Sequence, residues 1–335
     1  MRKASTQAAT GGDPKTGVAA QMAFRSASEL AQLFQWVGKQ FDALQLSAGD
    51  LNGRFTMVNL GSVALLKIST TQRLLLNGDR GPDCISFSLE ASGQADDHKV
   101  FSVPVAAHSV HGFRQGLRES HFELSANSTT YITITSCLRF NTYLERFGLD
   151  GLIEQMQISN ARQLAPRMHQ QLAQEFERLF QAPLATAIQR QEAEHRLYTL
   201  FRNCLLQDSA ETCFIPFATS PRQKLVLELI SWGFINGQEA FNLDDVSQTL
   251  YTSRRTLTQG TKEALGLGPM ELLKRIRLQQ VNGMLHSEEL RRAAGLYTVT
   301  EVAQHFGFHS RGHFARAYQQ LFGESPSTTL SQVFS

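Results

Sequence analysis

The same pattern of a short helix, a tight turn and a longer helix occurs twice near the carboxyl end of the chain. It is present in "LDDVSQTLYTSRRTLTQGTKEALGLGP" and again in "TVTEVAQHFGFHSRGHFARAYQQLFGESP". Ser253 and Ser310, each at the expected start of the longer helix, lie 57 residues apart and have the chemistry of helix caps. This arrangement is the helix-turn-helix unit, whose second helix enters the major groove of DNA. Two units in one chain therefore predict a protein that reads DNA.

Helical periodicity divides each longer helix into an apolar face and a polar face. The apolar faces are predicted to consist of Leu257, Thr261, Ala264 and Leu265 in the first copy, and of Phe314, Ala317, Tyr318 and Leu321 in the second. The polar faces and helix starts carry groups suited to base edges and phosphates. The predicted DNA-contacting residues are Ser253, Arg254, Arg255, Thr258, Gln259 and Lys262, followed by Ser310, Arg311, Gly312, His313, Arg316 and Gln319.

The segment between the two copies, "PMELLKRIRLQQVNGMLHS", is predicted to form one continuous helix that starts at Pro269. At about 1.5 Å per residue, this helix spans roughly 28 Å. A strut of that length could hold two helices near one turn of DNA apart, about 34 Å. The cations Lys274, Arg275 and Arg277 on this helix could face phosphates, although a solvated helix face is the commoner role of such a cluster.

The last hundred or so residues resemble the DNA-binding domain of the AraC/XylS family of bacterial transcriptional regulators. The most specific stretch is "VTEVAQHFGFHSRGHFARAYQQLFGESP", and "TSRRTLTQGTKEALGLGPMELLKRIRL" resembles the family's first unit and linker helix. The first copy departs from the pattern at Tyr251, where a turn glycine is usual, and at Thr261, where a buried Phe is usual. The segments "SRRTL", "ALGLGP" and "LLKRIRL" are similar in sequence to members of the family branch that includes ethanolamine-operon activators.

The resemblance implies that Arg255, Thr258 and Gln259, with Arg311, Gly312 and Arg316, occupy base- or phosphate-contacting positions. It also implies double-stranded DNA and RNA polymerase as partners. Many family members carry a β-rich effector-binding domain followed by helices that dimerise. By this analogy we expect an unknown small-molecule effector and a homodimer.

The amino-terminal part is predicted to be rich in β-strands from about residue 53 to 140. Tyr131 to Thr135 alternate between isoleucines and hydroxyl residues, and Asn77-Gly78-Asp79 reads as a turn. A helix, "ASELAQLFQWVGKQFDAL", is expected before the strands. The predicted fold class is α+β, with an N-terminal cupin-like or sandwich effector domain, a helical middle segment and an all-α C-terminal domain.

These patterns predict a division of the chain into four parts. Residues 1–20 form a flexible lead-in, 21–148 the β-rich regulatory domain, 149–215 a helical dimerisation segment and linker, and 221–335 the DNA-binding domain. The two helix-turn-helix units are expected at about 243–265 and 299–322. Pro166 and Pro183 divide the helical middle segment into pieces.

Composition adds few constraints. The chain has 32 Lys and Arg against 30 Asp and Glu, so that any nucleic-acid partner must be held by local patches. Four cysteines without a zinc or disulfide spacing, and no long apolar run, favour a cytoplasmic protein. No nucleophile with a readable base and no phosphate-binding loop is found, so no catalytic residue and no cofactor is predicted.

Histidines raise a competing hypothesis of metal binding. His305, His309 and His313 are spaced by four, but Gly307 is expected to interrupt any common helix face, and surface or turn positions are favoured. His108, His111 and His121 lie near predicted strands without the usual ligand spacing, and no metal is predicted there. Arg114 and Arg118 could meet an anionic effector, although solvated loop positions are favoured.

The sequence therefore predicts a sequence-specific DNA-binding transcriptional regulator, an effector-responsive activator that reads two adjacent major grooves. Two alternatives stay open. One is an enzyme or ligand sensor fused to a DNA-tethering tail. The other is a protein–protein adaptor whose helical tail docks on a partner.

Overall fold

A computed structural model describes residues 17–81, 83–92, 98–207, 212–239 and 241–332 of the chain. Residues 1–16 of the predicted lead-in lie outside the described residues, and the first strand begins at Ala20. No helix among the described residues is long and apolar enough to cross a membrane.

The amino-terminal part consists of strands with one helix near the start. Its elements are β1 (Ala20–Phe24), α1 (Ala27–Gln35), β2 (Gln40–Gln45), β3 (Gly53–Asn59), β4 (Val63–Thr70), β5 (Leu74–Asp79), β6 (Cys84–Ser92), β7 (Lys99–Val100), β8 (Val103–Pro104), β9 (Ser109–His111), β10 (Glu119–Leu124) and β11 (Ser128–Ser136). With two later strands they form an eight-stranded sheet, in the order β1-β3-β4-β11-β6-β9-β12-β13, and a five-stranded sheet, β2-β5-β10-β7-β8. The N-terminal domain is therefore β-rich, as predicted.

Alternation along the strands assigns each sheet face to a different layer. On β4, Leu65 packs with the helices that follow the strands, whereas Leu66 faces the core between the two sheets. On β5, Leu74 and Leu76 face that same core, and Leu75 points to the C-terminal domain. Because successive side chains of a strand point to opposite faces, the layers follow one another in this order: the helices, the eight-stranded sheet, the five-stranded sheet and the C-terminal domain.

The middle segment packs on the eight-stranded sheet. Its elements are α2 (Cys137–Glu145), α3 (Asp150–Ile158), β12 (Ser159–Gln163), α4 (Pro166–Gln181), α5 (Ala187–Leu206) and β13 (Phe214–Pro216). Phe87 of β6 stacks on Phe201 of α5 with ring centroids 4.1 Å apart, and Phe176 of α4 shares the same core. The helices therefore complete the β-domain, defined as residues 17–216.

Several local predictions in this part are wrong because strand pairing overrides local pattern. The predicted helix from residue 27 to 44 ends at Gln35, and β2 begins at Gln40 and pairs with β5. Asn77-Gly78-Asp79 is strand, not turn: a Cβ at Gly78 would lie 2.1 Å from the carbonyl oxygen of Gln40, so glycine permits this close strand approach. The strands β1, β9, β12 and β13 were not predicted, and Cys137 begins a helix where strand was expected.

The C-terminal domain is helical throughout its described residues. Its helices are α6 (Pro221–Ile235), α7 (Leu243–Thr249), α8 (Arg254–Leu265), α9 (Pro269–His286), α10 (Glu288–Ala294), α11 (Val299–His305), α12 (Arg311–Phe322) and α13 (Pro326–Gln332). Helix α9 belongs to two cores: Leu272 and Ile276 pack with α6 and α8, while Leu278 and Val281 pack with α11 and α12. The continuous linker helix predicted from Pro269 is confirmed.

The β-domain contacts the C-terminal ends of both α8 and α12. Lys99 Nζ donates to the carbonyl oxygen of Ala264 over 2.6 Å. The Gly49 N–H and Gln45 Nε2 each donate to the carbonyl oxygen of Leu321, both at 3.0 Å. Helix α9 is joined as well, since the N–H of Gln45 donates to Gln279 Oε1 at 3.3 Å.

Candidate nucleic-acid interface

The first helix-turn-helix unit, α7 with α8, begins and ends with local signals that the sequence carries. Asn242 and Asp245 form a capping box at α7, and the side chain of Ser253 accepts from the N–H of Thr256 at 3.0 Å. The predicted buried face is observed, because Leu257, Thr261, Ala264 and Leu265 are all buried. Gly266 ends α8 in a left-handed conformation.

The polar face of α8 is partly engaged in contacts within the unit. Arg254 forms an ion pair with Asp244 of α7. Gln259 Nε2 donates to Glu263 Oε1 at 2.8 Å, and the same oxygen accepts from Arg222 of α6 at 2.7 Å. No side-chain hydrogen bond or ion pair involves Arg255 or Lys262 within the described residues, and both are exposed.

The second unit, α11 with α12, follows the same plan with one correction. Thr298 and Glu301 form the predicted capping box, in which N–H groups of Tyr297 and Thr298 lower the pKa of the Glu301 carboxyl. Gly307 makes the turn at φ 78°. Ser310 precedes α12, but its side chain accepts no capping hydrogen bond, so that part of the prediction is wrong.

The polar face of α12 is open. Phe314, Tyr318 and Leu321 are buried, as periodicity predicted, and Ala317 is partly buried. The predicted contact residues of this helix are all exposed: Arg311, Gly312, His313, Arg316 and Gln319. Among the described residues, none of their side chains forms a hydrogen bond or an ion pair, so this face is available to a ligand.

The cations of the linker helix divide between two roles. Arg275 donates to Glu271 Oε1 at 3.2 Å and to the carbonyl oxygen of Leu46, while Arg277 bonds the carbonyl oxygen of Glu239 and lies 4.1 Å from the ring centre of Phe241. Both therefore hold the fold together. Lys274 is exposed and borders a surface depression that also contains His309, Ser310 and His313.

The spacing of His305, His309 and His313 does not bring three ligands together. His305 ends α11, the chain reverses at Gly307, and His313 lies in the first turn of α12. No group of three side chains able to hold a metal occurs among the described residues. The histidines of the strands are placed differently: His121 is buried, and burial lowers its pKa to about 3, whereas His111 lines a cavity between the two sheets.

That cavity is the second candidate site of the molecule. It encloses about 660 Å³ not occupied by protein atoms, including its opening to solvent, and is bordered by α1 and strands of both sheets. Neither Arg114 nor Arg118 lines it; Arg114 instead lies 4.5 Å from the ring centre of Phe217. The cations that do line it, Lys39 and Arg80, were not predicted, because pairing of β2 with β5 brings them together from distant positions.

The C-terminal domain is similar in sequence to known helix-turn-helix proteins. Residues 246–332 match a family model described as a helix-turn-helix domain. The probable thc operon regulatory protein of Rhodococcus erythropolis is 38% identical over 98 residues, which are 29% of this chain and 28% of that protein. The transcriptional activator RhaS of Escherichia coli O157:H7 is 27% identical over 169 residues, 50% of this chain and 52% of that protein.

The C-terminal domain is thus similar to the DNA-binding part of transcriptional regulators of the AraC/XylS type. The XylDLEGF operon transcriptional activator 2 of Pseudomonas putida is 30% identical over 96 residues, 29% of this chain and 59% of that protein. The matches span about half or less of the first two relatives and under two thirds of the third. The relation to ethanolamine-operon activators stays a prediction.

Solved structures give matches over different shares of the chain. A probable AraC family regulator from Rhodopseudomonas palustris is 28% identical, with 33% of this chain and 97% of that chain covered and a TM-score of 0.29. The AraC-like transcriptional activator CuxR is 13% identical, with 78% and 94% covered and a TM-score of 0.39.

Proposed function

We propose that this protein is a sequence-specific DNA-binding transcriptional regulator of the AraC/XylS family, an effector-responsive activator whose two helix-turn-helix units read adjacent major grooves. The observation that carries the proposal is the doubled unit within residues 246–332, in which both second helices expose a polar face opposite a buried one. The predicted contact residues on these faces are the proposed DNA-binding site.

The linker helix supports reading on one face of the DNA. Helix α9 has 18 residues, which at about 1.5 Å per residue gives roughly 27 Å between its ends. Because its two halves lie in the cores of the two units, the units are held at a fixed separation. Two helices near one turn of DNA apart, about 34 Å, meet successive major grooves.

Contacts between the domains support control by an effector. Lys99 holds the carboxyl end of α8, while Gln45 and Gly49 hold that of α12. Val100, the neighbour of Lys99 on β7, lines the cavity between the sheets. A ligand in that cavity would therefore act one residue away from a contact to the first unit, and so bias the placement of α8.

Homodimerisation is proposed for the middle segment. The helices that cover the eight-stranded sheet expose Leu138, Ile158 and Ile188, which offer apolar surface to a second copy. Recruitment of RNA polymerase and residence in the cytoplasm complete the proposal and rest on the family resemblance. Light scattering of the purified chain with and without DNA would give the number of copies bound.

DNA binding is tested by selecting bound duplexes from a random library with the full chain, and measuring affinity for the selected site across a range of salt concentrations. We expect the logarithm of the association constant to fall linearly with the logarithm of the salt concentration. We also expect the selected site to be bound at least about a thousandfold more tightly than random DNA. An adaptor would retain no duplex. An enzyme tethered to DNA would bind but would also turn over ligands of the cavity, which product analysis detects.

A further inference from the structure

The cavity between the sheets is lined by two buried cations that have no acidic partner among the described residues. Lys39 is 6% exposed and Arg80 is 7% exposed. Neither forms an ion pair with a carboxylate in the part of the chain that the structure describes. Buried charges in proteins are normally paired, because their desolvation is costly without a partner. The cavity wall therefore carries positive charge that an anionic ligand could meet.

The two cations are not equivalent. The guanidinium of Arg80 donates to four carbonyl oxygens, those of Leu117 and Cys84 at 3.0 Å, Gly112 at 3.1 Å and Arg114 at 2.5 Å. Burial lowers the pKa of Arg80 to about 10, and the group is held in place as a fixed charge. Lys39 donates to a single acceptor, the carbonyl oxygen of Arg80, although an ammonium has three donors. Lys39 is thus the cation that can still bond a ligand.

Two histidines extend the polar wall. The rings of His98 and His111 lie 5.4 Å apart, and both line the cavity. His98 Nδ1 lies 2.6 Å from Glu90 Oε2, whereas Nε2 of each ring is buried without a hydrogen-bond partner in the described part of the chain. Burial and the neighbouring His98 lower the pKa of His111 well below its usual range, so that His111 is neutral. Unpaired buried nitrogens are costly and are normally satisfied by a partner.

The rest of the wall is apolar. Phe34, Phe41, Phe101 and Phe122 contribute rings, and no Asp or Glu is among the described residues that line the cavity. We propose that the cavity binds a small organic carboxylate, with the carboxylate on Lys39 and on Nε2 of His111, from which the neutral ring can donate, and an apolar body among the aromatic rings. This inference rests on the proposed role of the β-domain as the effector-binding part of a regulator.

The experiment compares matched ligands on the full wild-type chain by calorimetric titration. Three acids are used: phenylacetate, hexanoate and cyclohexanecarboxylate. Each is compared with the neutral amide and the cationic amine that carry the same hydrocarbon group. We expect at least one acid to bind about tenfold or more tightly than its amide, and no amine to bind measurably. The proposal is overturned if an amide matches its acid, if an amine binds best, or if none of the acids binds.

Charge at Lys39 is then varied with the acid that binds best. Lys39→Gln should lose most of the preference for acid over amide, and Lys39→Arg should keep a larger part of it; Lys224→Gln, an exposed control on α6, should change nothing. Retention of the full preference in folded Lys39→Gln contradicts the proposal. The wild-type titration decides the ligand class even if the variant does not fold. DNA binding by the wild-type chain without any acid is measured separately. A chain that binds no DNA would refute the proposed regulator function but would leave the carboxylate site untouched.

Discussion

The two helix-turn-helix units share a backbone plan but differ in how much of their polar surface is already engaged. In the first unit, Arg254 pairs with Asp244, and Gln259 bonds Glu263. In the second, the side chains of Arg311 and Arg316 are exposed and form no hydrogen bond or ion pair within the described residues. Contacts of Arg254 and Gln259 with DNA therefore require exchange of internal bonds, whereas those of Arg311 and Arg316 require none. We infer that the second unit contributes more to base discrimination.

The units also differ at two equivalent positions, one in the turn and one on the buried face of the second helix. The turn residue is Tyr251 at φ 49° in the first and Gly307 at φ 78° in the second. In both, the N–H of the following residue bonds a carbonyl oxygen five residues back, Thr252 to Ser247 and Phe308 to Ala303. The buried position that is Thr261 in the first is occupied by Tyr318 in the second. The same fold is thus reached with less apolar volume and more backbone strain in the first unit.

The largest expected effect concerns these buried positions. Tyr318→Ala removes a fully buried ring and should lower the free energy of unfolding by about 3–5 kcal/mol. Thr261→Ala should cost about 1 kcal/mol or less, because Thr261 Oγ1 bonds only carbonyls of its own helix. Urea unfolding of the full chain, followed by circular dichroism, measures both. Equal losses would mean that the two cores carry similar weight.

Base discrimination is expected to depend most on Arg316. Arg316→Ala should lower the preference for the selected site over random DNA by about 1–3 kcal/mol, as loss of an Arg contact to guanine does. Gln259→Ala, at the equivalent place on α8, should cost less because its amide already bonds Glu263. Anisotropy titrations measure both variants, with Arg292→Ala on α10 as a control. Equal losses on selected and random DNA would assign Arg316 to a phosphate.

Exchange of the turn residues should have opposite effects in the two units. Gly307→Ala should destabilise by about 1 kcal/mol, since the left-handed conformation disfavours a Cβ. The nearest atom to that Cβ, Arg277 Nη1, lies at 3.7 Å, so no clash contributes. Tyr251→Gly should stabilise by roughly 0.5–1 kcal/mol, because Tyr251 is 97% exposed and strained. Thermal unfolding measures the change in stability of both variants. Changes of the same sign in the two variants would contradict the prediction.

The smallest predicted effect is on the engaged face of the first unit. Glu263→Gln should release Gln259 and Arg222 and remove a negative charge near the DNA. Exposed pairs are worth about 0.2–1 kcal/mol, so we expect binding to become at most about fivefold tighter. Glu289→Gln, on α10, is the matched control in the same titration. Weaker binding by the Glu263 variant would show that the internal bond helps α8 to read DNA.

Sequence reasoning worked where structure is specified by neighbouring residues. The capping box at Thr298, the turn at Gly307 and the buried face of α12 are all local signals, and all three are observed. It was wrong at Ser310, whose residue type suits a cap but whose side chain accepts no capping hydrogen bond. The DNA contacts themselves stay a prediction.

The cavity was out of reach of the sequence because pairing of distant strands builds it. Gln40 of β2 is in register with Asp79 of β5, so that Lys39 and Arg80, far apart in the chain, become neighbours. Local periodicity instead extended the first helix through Lys39, since the apolar residues around it suit either structure. Asn77-Gly78-Asp79, which by residue type predicts a turn, is the end of the strand β5 that pairs with β2.

Methylation protection of the selected site, bound to the full chain, shows whether both units read DNA together. We predict two protected guanine clusters in the major groove, centred about 10 base pairs apart on one face of the duplex. The cluster lost in Arg316→Ala should be the one contacted by the second unit. A single cluster, or two clusters on opposite faces, would contradict the account.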